Sequence, residues 1–176
     1  MKKKAILMDE SAVGRSIVRI SHEIIEKNKG SENLVILGIL RRGAYLAKKI
    51  CDNIEKIEGS NVSFGTLDIT FYRDDLSKVS EVPVINEQPC INVEGKTVVL
   101  VDDVIFTGRT ARAAIDAVFA QGRPKMIQLA VLIDRGHREL PVRPDYVGKN
   151  VPTSLSENVH VCVPEYDDKT EVALYE

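Results

Sequence analysis

The stretch Val98-Val99-Leu100-Val101-Asp102-Asp103-Val104-Ile105-Phe106-Thr107-Gly108-Arg109-Thr110 constrains this chain most. Its four leading apolar residues, three of them β-branched, predict a strand buried on both faces, which belongs inside a sheet covered by helices. The acidic pair ends the strand. A short turn through Thr107, Gly108 and Thr110 follows, and Ala111 to Val118 reads as helix. A loop there aims unpaired backbone N–H groups and the positive end of the helix dipole at one spot, which suits a phosphate. Gly108 lets the backbone come close, and the two threonine hydroxyls add donors. Asp102 and Asp103 stand where open α/β sheets bind ligands, at the strand's carboxyl end. As acceptors they suit sugar hydroxyls or a hydrated divalent cation.

The rest of the chain repeats this pattern. Asp9 or Ser11 can cap a helix running to about Asn28, with Gly30 just past its end. Val13, Ile17, Ile20 and Ile24 form its apolar stripe, opposite Arg15, Arg19, His22 and Glu26. Leu34 to Leu37 is a second buried strand, ending in Gly38-Ile39-Leu40-Arg41-Arg42-Gly43, with helix expected from Ala44 to Ile57. The glycine spacing mimics a P-loop, but Ala44 stands where the lysine is required. Adjacent arginines at a strand's carboxyl end still point to an anion. Val62 to Phe71 reads as a long strand. From Tyr72 to Gly95 the periodicity fails apart from a weak hairpin through Val82 to Ile85, the pattern of a lid or a disordered loop. Met126 to Ile133 is a further strand, Asp134 to Thr153 an Arg-, Gly- and Pro-rich loop, and short strands near Val159–Val163 and Val172–Tyr175 finish the sheet or cap it. Alternating βα units predict a parallel-rich twisted α/β sheet with helices on both faces, in one domain spanning residues 1–176.

Composition narrows the setting. A chain of 176 residues, 44% hydrophobic and 28% charged, suits one globular core. The net charge of −2 confines any nucleic-acid surface to a local patch. Cys51, Cys90 and Cys162 form no CxxC pair, so the spacing indicates neither a zinc site nor a disulfide framework. The apolar run after Lys4 is too short for a signal peptide, and no stretch spans a bilayer, so a cytoplasmic location is expected.

Val98 to Thr110 closely resembles the PRPP-binding signature of type I phosphoribosyltransferases. The resemblance implies that family's fold, with a flexible flap at about residues 72–96 and a small hood. It implies that Asp102 and Asp103 hold the ribose hydroxyls, and that Val104, Ile105, Thr107, Gly108, Arg109 and Thr110 surround the 5′-phosphate. Arg41, Arg42 and Gly43 match the family's pyrophosphate loop, where a non-proline cis peptide is common, and Arg73 lies on the flap. On this reading Arg42, Asp102 and Asp103 carry catalysis.

Three further pieces are more specific: Asp68 to Leu76, Asp134 to Thr153, and the terminal Tyr175-Glu176. They resemble the bacterial bifunctional regulators of pyrimidine operons, and the likeness runs over nearly the whole chain. It implies synthesis of UMP and pyrophosphate from uracil and PRPP with Mg²⁺, the ion held mainly by PRPP and through water by Asp102 and Asp103. It also implies UMP-dependent binding of a pyrimidine operon's leader mRNA to attenuate transcription, and a homodimer or higher homo-oligomer. Phe106, Arg135 and His137 would surround the base. Arg19, His22, Arg138, Arg143, Lys149 and Thr153 would face RNA, in part through the hood and RNA-facing segment at about 134–153. Val18 departs from the pattern, since the relatives place a hydroxyl residue there. Two alternatives stay open: a hypoxanthine/guanine phosphoribosyltransferase, and a non-catalytic RNA-binding regulator. Against the first, purine enzymes place an acid where this chain has Phe106, which cannot move a proton.

Overall fold

The computed structural model describes residues 1–72 and 91–176. Arg73, the expected hairpin and the greater part of the expected flap lie outside the described residues. In chain order the elements are β1 (Lys3–Met8), α1 (Glu10–Asn28), β2 (Leu34–Ile39), α2 (Arg42–Glu58), β3 (Ser63–Leu67), a 3₁₀ turn (Thr70–Tyr72), β4 (Thr97–Ile105), α3 (Arg109–Phe119), β5 (Met126–Asp134), β6 (Tyr146–Asn150), β7 (Asn158–Cys162), α4 (Pro164–Asp167) and β8 (Glu171–Tyr175).

Strands β3-β2-β4-β5-β6 make a five-stranded sheet in which every pair is parallel. Its two faces are built by strict alternation. Leu34, Ile36, Val99, Val101, Ala130 and Leu132 pack with Val13, Ile17, Ile20 and Ile24 of α1 and Leu46, Ile50 and Ile54 of α2. Val35, Leu37, Val98, Leu100, Leu129 and Val131 pack with Ala111, Ala113, Ala114 and Ala117 of α3. Each fully buried branched side chain stabilises by about 1.5–3 kcal/mol over its exposed state. The expected α/β sheet with helices on both faces is therefore what forms.

Several boundaries differ from expectation for local reasons. Asp9 does cap α1, accepting the Ala12 N–H at 2.7 Å. The left-handed cap at its other end is Lys29, with Gly30 one residue on. β3 stops at Leu67 because Asp68 folds the chain back, its carboxylate accepting both the Thr70 N–H and hydroxyl. β4 runs on through the acidic pair to Ile105, because Val104 and Ile105 still pair with Ile133 and Asp134. Strand β6, inside the segment expected to be loop, is started by Asp145, which exchanges hydrogen bonds with the Leu129 backbone.

The strands near the carboxyl end do not extend the main sheet. β7 and β8 join β1 in a separate antiparallel sheet, ordered β1-β8-β7, which we call the hood; the segment at about 134–153, where a hood was expected, instead runs along the parallel sheet through β6. Its Val161 and Val172, with Val163 just beyond β7, share the core on the α1–α2 side. No described helix is long and apolar enough to cross a membrane.

Candidate active site

Three strand ends of the parallel sheet converge on one mouth. At the end of β4, Asp102 Oδ1 accepts the Asp103 N–H at 2.9 Å, and Asp103 Oδ1 accepts the Val104 N–H at 2.8 Å. Burial raises the Asp103 carboxyl above its usual range, opposed by the Val104 N–H, Asp102 and the nearby Arg42 charge. The chain then turns through Gly108 at φ 92°, a conformation that favours glycine, directly into α3. The first turn of α3 leaves its leading N–H groups without partners inside the helix. Asp102, Val104 to Ala111 and Glu139 line a cavity of about 290 Å³ there, with Leu129 and Val131 behind. The Glu139 and Leu140 N–H groups both donate to the Thr107 carbonyl, and Glu139 pairs with Arg109 at 2.9 Å. The loop after β5 thus braces the loop after β4.

A second cavity, of about 420 Å³, shares Asp102, Val104 and Thr110 with the first. Asp103, Leu40, Arg41 and Asp68 to Thr70 complete it. The Leu40–Arg41 peptide is cis, at the position where the resemblance implies one. Arg41 faces this cavity, whereas Arg42 turns to the hood, its Nη2 donating to both Asp167 oxygens at 3.0 and 3.1 Å. Gly43, expected at the phosphate, is buried. A Cβ on it would lie 2.5 Å from the Val101 carbonyl oxygen, so this glycine lets α2 start against β4.

Phe106, Arg135 and His137 do come together. The Arg135 guanidinium lies 4.1 Å from the Phe106 ring centroid, and His137 meets the ring edge-on at 5.9 Å. Arg135 is only 5% exposed. It donates to Thr153 Oγ1 at 3.1 Å and to the Ser154 and Glu157 carbonyls at 3.0 and 2.5 Å. Burial lowers its pKa, and the Glu157 charge opposes that. A third cavity, about 470 Å³, runs from Asp134 to Arg138 and on to Asn150, Pro152 and Thr153.

The residues expected to face RNA divide. Arg19 on α1 donates to the Val147 and Gly148 carbonyls of β6, and Lys149 on β6 donates to the Leu7 carbonyl. Both stay exposed at that edge, with His22 exposed one turn along α1 and Arg143 exposed in the loop before β6. Arg138 and Thr153 are different. Arg138 bonds inward to the Phe106 and Val142 carbonyls and to Asp134, so its charge is spent on holding the loop. Thr153 is tied to Arg135. Sequence reasoning missed Asp167 as the partner of Arg42, and Glu139 and Asp68 at the cavity walls. Asp68 lies in a segment already distinctive by resemblance; no local pattern marks the other two.

A phosphoribosyl transferase domain family matches residues 5–169. The chain belongs to the phosphoribosyltransferase family. Among its relatives, the Bifunctional protein PyrR of Caldicellulosiruptor bescii is 62% identical over 175 residues, covering 99% of this chain and 96% of that one. Proteins of the same name from Clostridium kluyveri and Clostridioides difficile are 60% and 58% identical, each over all of this chain and 99% or more of their own. A solved hypoxanthine-guanine phosphoribosyltransferase from Bacillus anthracis superposes with a TM-score of 0.74 at 20% identity, covering 99% of this chain and all of that one. The hypoxanthine phosphoribosyltransferase of Trypanosoma cruzi gives 0.73 at 20%, covering 98% and 96%. Those structures bear out the phosphoribosyltransferase fold; the kinship with PyrR proteins is carried by sequence along the whole chain.

Proposed function

We propose that this phosphoribosyltransferase makes UMP and pyrophosphate from uracil and PRPP, and that with UMP bound it binds the leader RNA of a pyrimidine operon. The observation that carries the reading is full-length identity of 54–63% to proteins named bifunctional, against 20% to the purine enzymes. The apolar ring of Phe106 under Arg135 supports a pyrimidine over a purine, since no acid stands there to serve a purine ring.

In this reading the cavity around Thr107 to Thr110 takes the 5′-phosphate on the start of α3. Asp102 and Asp103 accept from the ribose hydroxyls. Arg41, with Arg42 beside it, faces the pyrophosphate, and the region of Arg135 and His137 takes uracil. The C1–oxygen bond to pyrophosphate breaks as N1 of uracil, which gives up its proton to solvent, bonds to C1, through a state of oxocarbenium character. Positive groups fixed before reaction stabilise the charge that grows on the leaving group. The hard oxygens of Asp102 and Asp103 suit Mg²⁺ through water, and the ion would neutralise pyrophosphate charge when bound with PRPP. Arg19, His22, Arg143 and Lys149 supply the RNA face. A homo-oligomer and a cytoplasmic setting complete the proposal.

The test is a panel of bases with PRPP and Mg²⁺. Uracil should turn over fastest, and faster turnover of guanine or hypoxanthine would overturn the pyrimidine reading. A filter-binding titration with leader RNA tests the second activity. UMP should tighten binding, and Arg143→Ala should weaken it while uracil turnover persists. Equal affinity for leader and scrambled RNA at every UMP level would leave a salvage enzyme alone.

A further inference from the structure

Cysteine spacing gives no hint of a metal, yet the fold assembles donors that the sequence keeps apart. His160 and Cys162 are two residues apart on β7 and so project from the same face of the strand. The short α4 then turns the chain back and brings Asp167 to them. One donor atom from each residue lies within 4.8 Å of the other two. The Cys162 sulfur stands 3.8 Å from His160 Nδ1. A tetrahedral ion with sulfur at about 2.3 Å and nitrogen at about 2.0 Å separates those ligands by about 3.5 Å, so a small shift closes the site. Cys162 is 3% exposed while His160 is exposed, which gives a shielded thiol with an open approach.

The third donor is already engaged. Asp167 Oδ2 accepts the Val163 N–H at 3.0 Å, and both its oxygens accept from Arg42. A carboxylate has lone pairs enough for a further partner. A divalent ion, however, would stand beside the guanidinium and repel it.

We propose that His160, Cys162 and Asp167 form a site for a thiophilic divalent cation of the zinc class, and that the ion competes with Arg42 for Asp167. Thiolate, imidazole and carboxylate together suit zinc over magnesium or calcium. The thiol gives its proton to solvent as the Cys162–metal bond forms. Arg42 begins α2, next to Arg41 and the second cavity, so an ion in the hood would loosen an arginine at the catalytic mouth.

The experiment is a titration of the intact protein with Co²⁺, followed through thiolate-to-cobalt absorption, and with Zn²⁺ by calorimetry. Wild type should bind one ion per chain with the thiolate band. Cys162→Ser should lose the band and weaken zinc binding at least about tenfold. His160→Asn, at an exposed position that does not hold the core, should also weaken it. Arg42→Ala should bind zinc about tenfold more tightly, because a like charge beside the ion is gone. A thiolate band that survives in Cys162→Ser, unchanged zinc affinity in His160→Asn, or equal or weaker binding by Arg42→Ala would each overturn the proposal.

Discussion

Replacing Arg135 with lysine keeps the positive charge and removes the planar fork that uses it. The guanidinium makes three hydrogen bonds, one to a hydroxyl and two to carbonyls, while lying on the Phe106 ring. Hydrogen bonds from a charged group contribute roughly 1.5–3 kcal/mol each. An ammonium on a flexible stem can reach one of the carbonyls, but it cannot span the hydroxyl and both carbonyls at once. Losing two bonds at the lower figure costs about 3 kcal/mol. In a chain of this size that lowers Tm by about 6–12 °C. The same bonds hold the 135–157 segment against Phe106, so the apparent KM for uracil should rise while kcat changes less. Thermal unfolding and uracil kinetics on Arg135→Lys measure both effects. A Tm change under about 2 °C, ordinary for an exposed substitution, would refute the view that this arginine is the loop's anchor.

Asp103→Asn should raise Tm at neutral pH and abolish turnover. Burial raises the Asp103 pKa, so its ionised form costs stability above the folded pKa, and the gain should vanish below about pH 4, where the unfolded acid is protonated too. Asp167 is the opposite case. Burial works against its ionisation, but the Val163 N–H and Arg42 outweigh it and hold the carboxyl below its usual range. Its contribution is present above about pH 4 and lost as pH falls through the lower folded pKa, so Asp167→Asn should differ from wild type in acid-unfolding curves at neutral pH and converge with it in strong acid. Gly43→Ala should cost about 3 kcal/mol by thermal or denaturant unfolding, since its methyl would lie 2.5 Å from the Val101 oxygen and backbone must move.

The central sheet was readable because its strands are buried on both faces, and Val98 to Val101 cannot be mistaken for a surface strand. The stripe of α1 was equally plain, with all four expected residues buried. What escaped depends on partners distant in the chain. β1 looks like a brief apolar run because Ile6 is exposed and its register is set by β8. Arg42 and Arg138 stand three and four residues beyond the ends of β2 and β5, and nothing in the sequence around them tells that Arg138 is spent on carbonyls and Asp134, and Arg42 on a hood aspartate. The acidic pair and the Thr-Gly turn could be read as a candidate site because their chemistry is local, and the structure opens a cavity at them.

The hood's strand order has a consequence for how the molecule assembles. β1 and β8 pair Lys3 with Tyr175 and Met8 with Val172, so this sheet closes a loop containing almost the entire polypeptide. Closing so long a loop is entropically costly unless intervening structure has already shortened it. The parallel sheet with α1, α2 and α3 should therefore form first, and the hood should dock onto it afterwards. Until that docking, the Asp167–Arg42 ion pair, 3.0 Å in the folded chain, should not form, and Arg42 should lack its restraint. Pulse-labelled hydrogen exchange during refolding should find β2, β4 and β5 protected ahead of β1 and β8. Catalytic competence should follow the later event.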